Sequence, residues 1–184
     1  MRIFPLIATI ALLFPALALA HNLKIGERVP AVGVKDEGEL VLKQDKFSYH
    51  PWNSAQLAGK VRVVLPIAGR SSAKEMNAAM IEAIKSANFP RDRYQTTTIV
   101  NTDDAIPGTG MFVTSSIKSN KQQYPWSQFV IDDNGNVQKA WLLKPASSAV
   151  VVLDKQGVVR WVKDGALTDK EVQQAITLLH ELLK

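Results

Sequence analysis

The sequence predicts an α/β fold, a central mixed β-sheet with helices on both faces. Three observations carry that expectation. Val61 to Ile67 is a near-continuous apolar run, the pattern of a parallel strand buried on both faces. Met76, Met80, Ala83, Ile84 and Ala87 follow at helical spacing, and the β-branched run Thr96 to Val100 comes next. Strand, helix and strand in that order form a βαβ unit, right-handed in nearly all cases. The chain then ends in two short apolar runs and an amphipathic stretch, a ββα arrangement that adds antiparallel strands to the sheet.

The elements read in order as follows. Leu23 to Val34 is a short apolar-rich stretch interrupted by Pro30 and Gly33. Asp36-Glu37-Gly38 is a turn signal, with Leu40-Val41-Leu42 returning as a strand. Lys43 to Ala58, mixed and aromatic, reads as a packed loop. Ser72-Ala73-Lys74-Glu75 fits a capping box that opens the first helix, and Asn88 and Pro90 end it. Asn101 to Gly110 is a polar loop, and Met111 to Gln122 a helix. Gln128 to Asp132 is a strand stopped by Asp133-Asn134-Gly135, and Val137 to Leu143 a short helix or irregular segment. Ala149 to Leu153 pairs with Val158 to Val162 across Asp154-Lys155-Gln156-Gly157. Thr168-Asp169-Lys170-Glu171 is a second capping box, and Val172, Ala175, Ile176, Leu179 and Leu183 line the last helix.

Residues 1–20 have the form of a secretory signal. Arg2 is the positive start, the stretch to Leu19 is apolar or small, and Ala18-Leu19-Ala20 is an A-x-A cleavage site. Pro5 and Pro15 and the small-residue end argue for cleavage after Ala20 rather than a membrane anchor, leaving one domain over residues 21–184. The expected address is the periplasm. The formal charge is +5; without Arg2, 21 basic side chains face 17 acidic ones. Lys118, Lys121, Lys139 and Lys144 are dispersed rather than packed into a stripe, which argues against a nucleic-acid partner.

Several short segments together resemble the thioredoxin-like superfamily, in its exported peroxiredoxin and TlpA-type branch. They are Ile25-Gly26-Glu27 before Pro30, Leu57-Ala58-Gly59-Lys60-Val61, Val130 to Gly135, and Val151 to Gly157. Pro66-Ile67-Ala68-Gly69-Arg70 and Phe129 to Asp133 resemble more narrowly the YtfJ family of small periplasmic proteins. The resemblance implies a fold and a compartment. It does not imply the superfamily's chemistry, because function resides in the site and not in the fold. Where redox members carry a Cys-x-x-C pair, this chain has Gly69, Arg70, Ser71, Ser72 and Ala73, and it contains no cysteine. Without a thiolate it is neither a thiol oxidoreductase nor a thiol peroxidase. Redox members also place a cis-proline before the late strand; Ser147 or Ser148 stands there, and Pro145 reads as an ordinary loop proline.

The leading expectation is a binding module, monomeric or weakly self-associating, for a protein, peptide or small anionic ligand, with no cofactor. The candidate site is Gly69, Arg70, Ser71, Ser72 and Lys74 at a helix start, where backbone N–H groups favour an anion. Capping alone also explains Ser72. His50, Trp126 and Ser148 complete the candidate set: Tyr124-Pro125-Trp126, Trp52 and Arg70 are expected in loops near the C-terminal edge of the strands, where open α/β sheets bind ligands, Ser148 stands near the position of the family's proline, and the placement of His50 is left to the tertiary structure. A Ser–His nucleophile would need His50 beside Ser71, and no Gly-x-Ser-x-Gly elbow is present. A second reading is a cysteine-independent enzyme or copper protein, with His21 as a freed N-terminus and His50 as nitrogen ligands. The carboxylate pairs Asp103-Asp104 and Asp132-Asp133 read as helix caps or Asx-turns, and Trp52, Trp126, Trp141 and Trp161 as core or half-buried plugs.

Overall fold

A computed structural model describes residues 21–184; the proposed leader lies outside the described residues. Its centre is β3 (Val61–Ala68), every residue of which is buried. β3 pairs in parallel with β4 (Tyr94–Asn101), and β4 in parallel with β5 (Gln128–Asp132). On the other side of β3, β6 (Ala149–Leu153) runs antiparallel and pairs with β7 (Val159–Asp164). Beyond β5 lie β1 (Gly33–Lys43) and β2 (Lys46–Asn53), both antiparallel to their neighbours, so the sheet order is β2-β1-β5-β4-β3-β6-β7.

Alternation along β3 divides the core. Val61, Val63, Leu65 and Ile67 pack beneath α1 (Ser71–Met76), α2 (Ala78–Ala87) and α5 (Asp169–Leu182). α3 (Gly110–Gln123) continues this layer through Ile117, over Val100, Phe129 and Ile131. Val64, Ile99 and Val130 face the opposite layer, built from α4 (Asn136–Trp141), the N-terminal segment and a short 3-10 helix (Ser54–Leu57). Helices thus cover both faces. Trp52 and Trp141 are fully buried there and Trp161 is half-buried, as expected; Trp126 is exposed. Pro66 is tolerated in a central strand because the β6 ladder covers Arg62 to Val64 and resumes only at the isolated Ile67–Ser148 bridge.

Four local expectations need correction. Asp36-Glu37-Gly38 does not turn the chain; it is an irregularity within β1, between Val34 and Glu39. Gly38 has φ +72°, and a Cβ there would run into the carbonyl of His50. Second, Lys43 to Ala58 is no packed loop. A two-residue turn at Gln44 and Asp45, both left-handed at φ 48° and 59°, sends the chain back as β2. Third, the Ser72–Glu75 capping box does not form: the helix begins two residues earlier, with Arg70 rather than Ser72 in the N-cap position. Fourth, the first helix is broken at Asn77 (φ −100°, ψ 1°) into α1 and α2.

A buried polar ladder crosses the sheet at the start of the parallel strands. The Arg62 guanidinium donates to the carbonyls of Gln56 and Leu57 and to Gln95, Thr97 and Gln128, and Gln128 donates onward to Glu39. Burial pulls the Arg62 pKa down, and the Glu39 charge opposes that.

The Thr168 capping box forms with both reciprocal hydrogen bonds. The Glu171 carboxylate accepts from Lys163 Nζ at 2.8 Å and from the Thr168 backbone N–H at 2.8 Å. These donors, Lys163 foremost, hold its pKa down to about 2 from an ordinary 4.5. The stabilisation this gives the start of α5 is fully present above pH 4.5 and is lost as pH falls through 2. An NMR titration should find Glu171 ionising near pH 2, and Lys163→Ala should move that midpoint toward 4.5.

Candidate functional site

The loops that follow β3 and β4 meet at one end of the sheet. Gly69 donates its N–H to the Asn101 carbonyl at 2.8 Å. A Cβ on Gly69 would sit 3.0 Å from that oxygen and 3.2 Å from Ala105 Cβ, so a side chain there would push the two loops apart by a few tenths of an ångström. The turn then presents Arg70. Its Nε and Nη2 both donate to Asp104 Oδ1, at 3.0 and 2.7 Å, and Nε also reaches the Asp104 carbonyl at 2.9 Å. The pair is partly screened, with side-chain exposures of 32% and 11%. The other Asp104 oxygen accepts the Ala146 N–H at 2.5 Å. Asn101 Oδ1 accepts the Asp104 N–H at 3.2 Å, and Asn101 Nδ2 donates to Gln138 on α4 at 2.9 Å. One carboxylate therefore clasps the three loops that follow β3, follow β4 and precede β6.

Beneath the clasp, Asn77 is completely buried in the break between α1 and α2. Its Nδ2 donates to Ser148 Oγ, which donates to the Pro66 carbonyl at 3.3 Å. Asn77 Oδ1 has no partner. Ser148 is thus a buried strut, and the peptide bonds of the described residues are all trans, Pro145 included. A cavity of about 20 Å³, room for one water, lies between Ser148, Ser147, Asn101, Asp104, Gln138 and Asp164. Asp164 Oδ1 is buried there without a partner, while Oδ2 accepts the Lys144 N–H at 3.1 Å. A larger open cleft of about 180 Å³, bordered by Arg28, Ser54, Ala55 and Gln156, lies elsewhere.

The structure brings together Gly69, Arg70 and Ser148, with Ser71, Ser72 and Lys74 exposed on the first turns of α1 above them. Neither serine hydroxyl, nor the Lys74 ammonium, makes a hydrogen bond among the described residues. His50 does not join them. It lies on β2, four strands from β3, or roughly 19 Å at normal strand spacing, and shares a 3.2 Å hydrogen bond with Ser48. His180 packs edge-on against Phe89 on α5. Neither of these imidazoles therefore stands by Ser71. Trp126 is also misplaced by the sequence reading. It precedes β5, at the N-terminal end of the parallel strands, opposite the Arg70 turn.

Sequence reasoning missed Asp104, Asn77 and Asp164 as members of this site. Asp132 does cap α4, accepting from the Asn136 and Val137 backbone N–H groups at 3.0 and 2.7 Å. Asp104, in a similar Asp-Asp pair, instead takes the arginine. Asn77 carried a signal: a polar side chain one residue past Met76, in the stretch read as a continuous amphipathic helix. Next to the clasp, Ile106, Met111 and Phe112 are 51%, 84% and 75% exposed. The loop is turned by Thr109, whose N–H and hydroxyl both donate to the Ile106 carbonyl. Large apolar side chains this exposed and this near one another mark a contact surface more often than accident.

The sequence profile of a family described as "Bacterial protein of unknown function (YtfJ_HI0045)" matches residues 23–182. The chain belongs to this YtfJ family. It is 64% identical over 184 residues, the full length of both chains, to the uncharacterized protein YtfJ of Escherichia coli K12. It is 49% identical over 172 residues, 94% of each chain, to an uncharacterized protein of Haemophilus influenzae. Solved structures share the YtfJ chain's fold at low identity. A protein from Bacteroides thetaiotaomicron, described as a candidate disulfide isomerase, superposes with a TM-score of 0.61 at 16% identity, covering 89% of this chain and 92% of its own. A reduced 2-Cys peroxiredoxin of Plasmodium vivax gives 0.54 at 14%, covering 85% and 97%. The fold is thioredoxin-like, and this YtfJ protein has no cysteine.

Asp104→Ala should release Arg70 and leave the Ala146 N–H without its acceptor. Urea unfolding is expected to show a loss of about 2 kcal/mol. Hydrogen exchange should speed up at Ala146 to Ser148 while the β3 amides stay protected.

Proposed function

We propose that this YtfJ protein is a periplasmic binding module that recognises a partner polypeptide at the C-terminal edge of its parallel strands. The observation that carries this reading is the exposed trio Ile106, Met111 and Phe112 beside the clasped Arg70. Thiol exchange is impossible without cysteine. What occupies the corresponding turn is an ion-paired arginine whose Nη1 has no hydrogen-bond partner among the described residues. An apolar rim with one directional cation is the chemistry of a protein contact, in which Met, Phe and Arg are enriched.

Export is supported by the leader pattern and by the packing at its end. Asn22 donates to the carbonyls of Trp141 and Ala140, and Leu23 is buried. Cleavage after Ala20 would leave these contacts in the mature chain. No observation favours the metal reading: among the described residues no three His, Asp or Glu side chains stand where they could hold an ion.

Two measurements test the proposal. A photo-crosslinking residue at Met111 or Phe112 in intact cells is expected to capture the same polypeptide, with none captured from Gln174 on α5. The purified partner should then bind Met111→Ser/Phe112→Ser roughly tenfold more weakly, since an exposed aromatic anchor is commonly worth more than 1 kcal/mol. Identical capture from all three positions would refute the site. Separately, osmotic shock should release a protein whose mass corresponds to a chain beginning at His21; a cytosolic full-length chain would refute the address.

A further inference from the structure

At the opposite end of the sheet, a second cluster is built from residues that the proposed binding edge does not use. The Arg91 guanidinium lies over the Trp126 ring, 3.5 Å from its centroid. Tyr124 packs edge-on against the same ring at 5.8 Å. The loop that holds Trp126 is fixed from both sides. Gln95 Nε2 donates to the Trp126 carbonyl at 2.9 Å. The Lys121 ammonium, buried beneath, donates to the Pro125 and Ser127 carbonyls at 3.0 and 2.7 Å. Lys60, which leads into β3, donates to the Arg91 carbonyl at 2.7 Å and so brings a second cation to the same corner.

A surface arginine is normally mobile, and ordering it costs side-chain entropy. Here stacking on a fixed indole settles that cost in advance, and Arg91 remains exposed. Among the described residues no carboxylate pairs with Arg91 or Lys60, although Asp92 is adjacent in sequence and Lys85 nearby is paired with Glu82. A held guanidinium with no internal counter-ion among the described residues suits a tetrahedral oxyanion, which accepts two parallel hydrogen bonds from arginine, and Lys60, tied to the Arg91 carbonyl, adds positive charge to the same loop.

We propose that Arg91, stacked on Trp126 and assisted by Lys60, forms a phosphate-binding site, whether the phosphate is free or carried as a phospholipid headgroup. The test uses protein as its host processes it, and two probes. Inorganic phosphate is titrated while the Trp126 indole N–H resonance is followed, assigned by its loss in Trp126→Phe. Vesicles of phosphatidylcholine, with and without phosphatidylglycerol, are used in co-sedimentation. Saturable movement of the indole resonance identifies free phosphate; retention that requires phosphatidylglycerol identifies the headgroup. In whichever arm responds, Arg91→Ala should weaken binding about tenfold, the scale of one charge-assisted hydrogen bond. Arg91→Lys, which keeps the charge without the planar fork, and Trp126→Leu, which keeps the charge without the stack and is titrated by calorimetry because its indole is gone, should each weaken it severalfold. Both positions are exposed, and a thermal melt of each variant checks that it folds. Response in neither arm, or Arg91→Ala binding as tightly as wild type, would overturn the site. Equal affinity for Trp126→Leu would overturn the role of the stack.

Discussion

Everything in this molecule is arranged around a strand that water never reaches. β3 contributes eight buried residues in succession, so both of its faces need cover and both of its edges need partners. That demand places β4 and β6 beside it, four helices on one face and α4 with the N-terminal segment on the other. Its end delivers Gly69 and Arg70 to the corner where Asp104 joins them to the segment before β6. The location of the candidate site follows from the burial of the strand and not from the side chains displayed there.

Burial also explains the polar groups. Arg62 belongs to β3 and cannot leave the interior without pulling the strand with it, so a row of amide and hydroxyl partners extends across β4 and β5 to meet it. Leaving such a charge unpaired would cost several kcal/mol. Asn77 and Ser148 answer a similar need. A proline in β3 interrupts the ladder to β6, and the Ser148 hydroxyl reaches the exposed Pro66 carbonyl while Asn77 holds the serine in place. In this YtfJ chain the segment before β6 is tied down by hydrogen bonds.

The two ends of the sheet have different characters. At the C-terminal edge the cation is already neutralised, and the distinctive surface is apolar. At the N-terminal edge the cation is stacked and unneutralised, and the distinctive surface is charged. Nothing requires the two to serve one partner; a protein held at one end and an anion at the other is compatible with the distance between them.

The strands and helices of the parallel core were legible because their burial period is local: Val61 to Ile67, Gln128 to Asp132, Ala149 to Leu153 and the Thr168 cap all stand as the sequence reads. The β1–β2 hairpin was not, because its turn uses Gln44 and Asp45 in left-handed conformations without the Asn-Gly signal, and β2 buries few of its side chains. The absence of thiol chemistry is likewise a matter of composition alone. Partnership between distant loops is another kind of fact. That Asp104 would take Arg70, that Asn77 would break a helix to reach Ser148, that His50 and Trp126 would stand far from the turn at Gly69 all depend on strand order. Strand order is decided when the whole sheet closes, through contacts between segments dozens of residues apart, and no local window of sequence contains it.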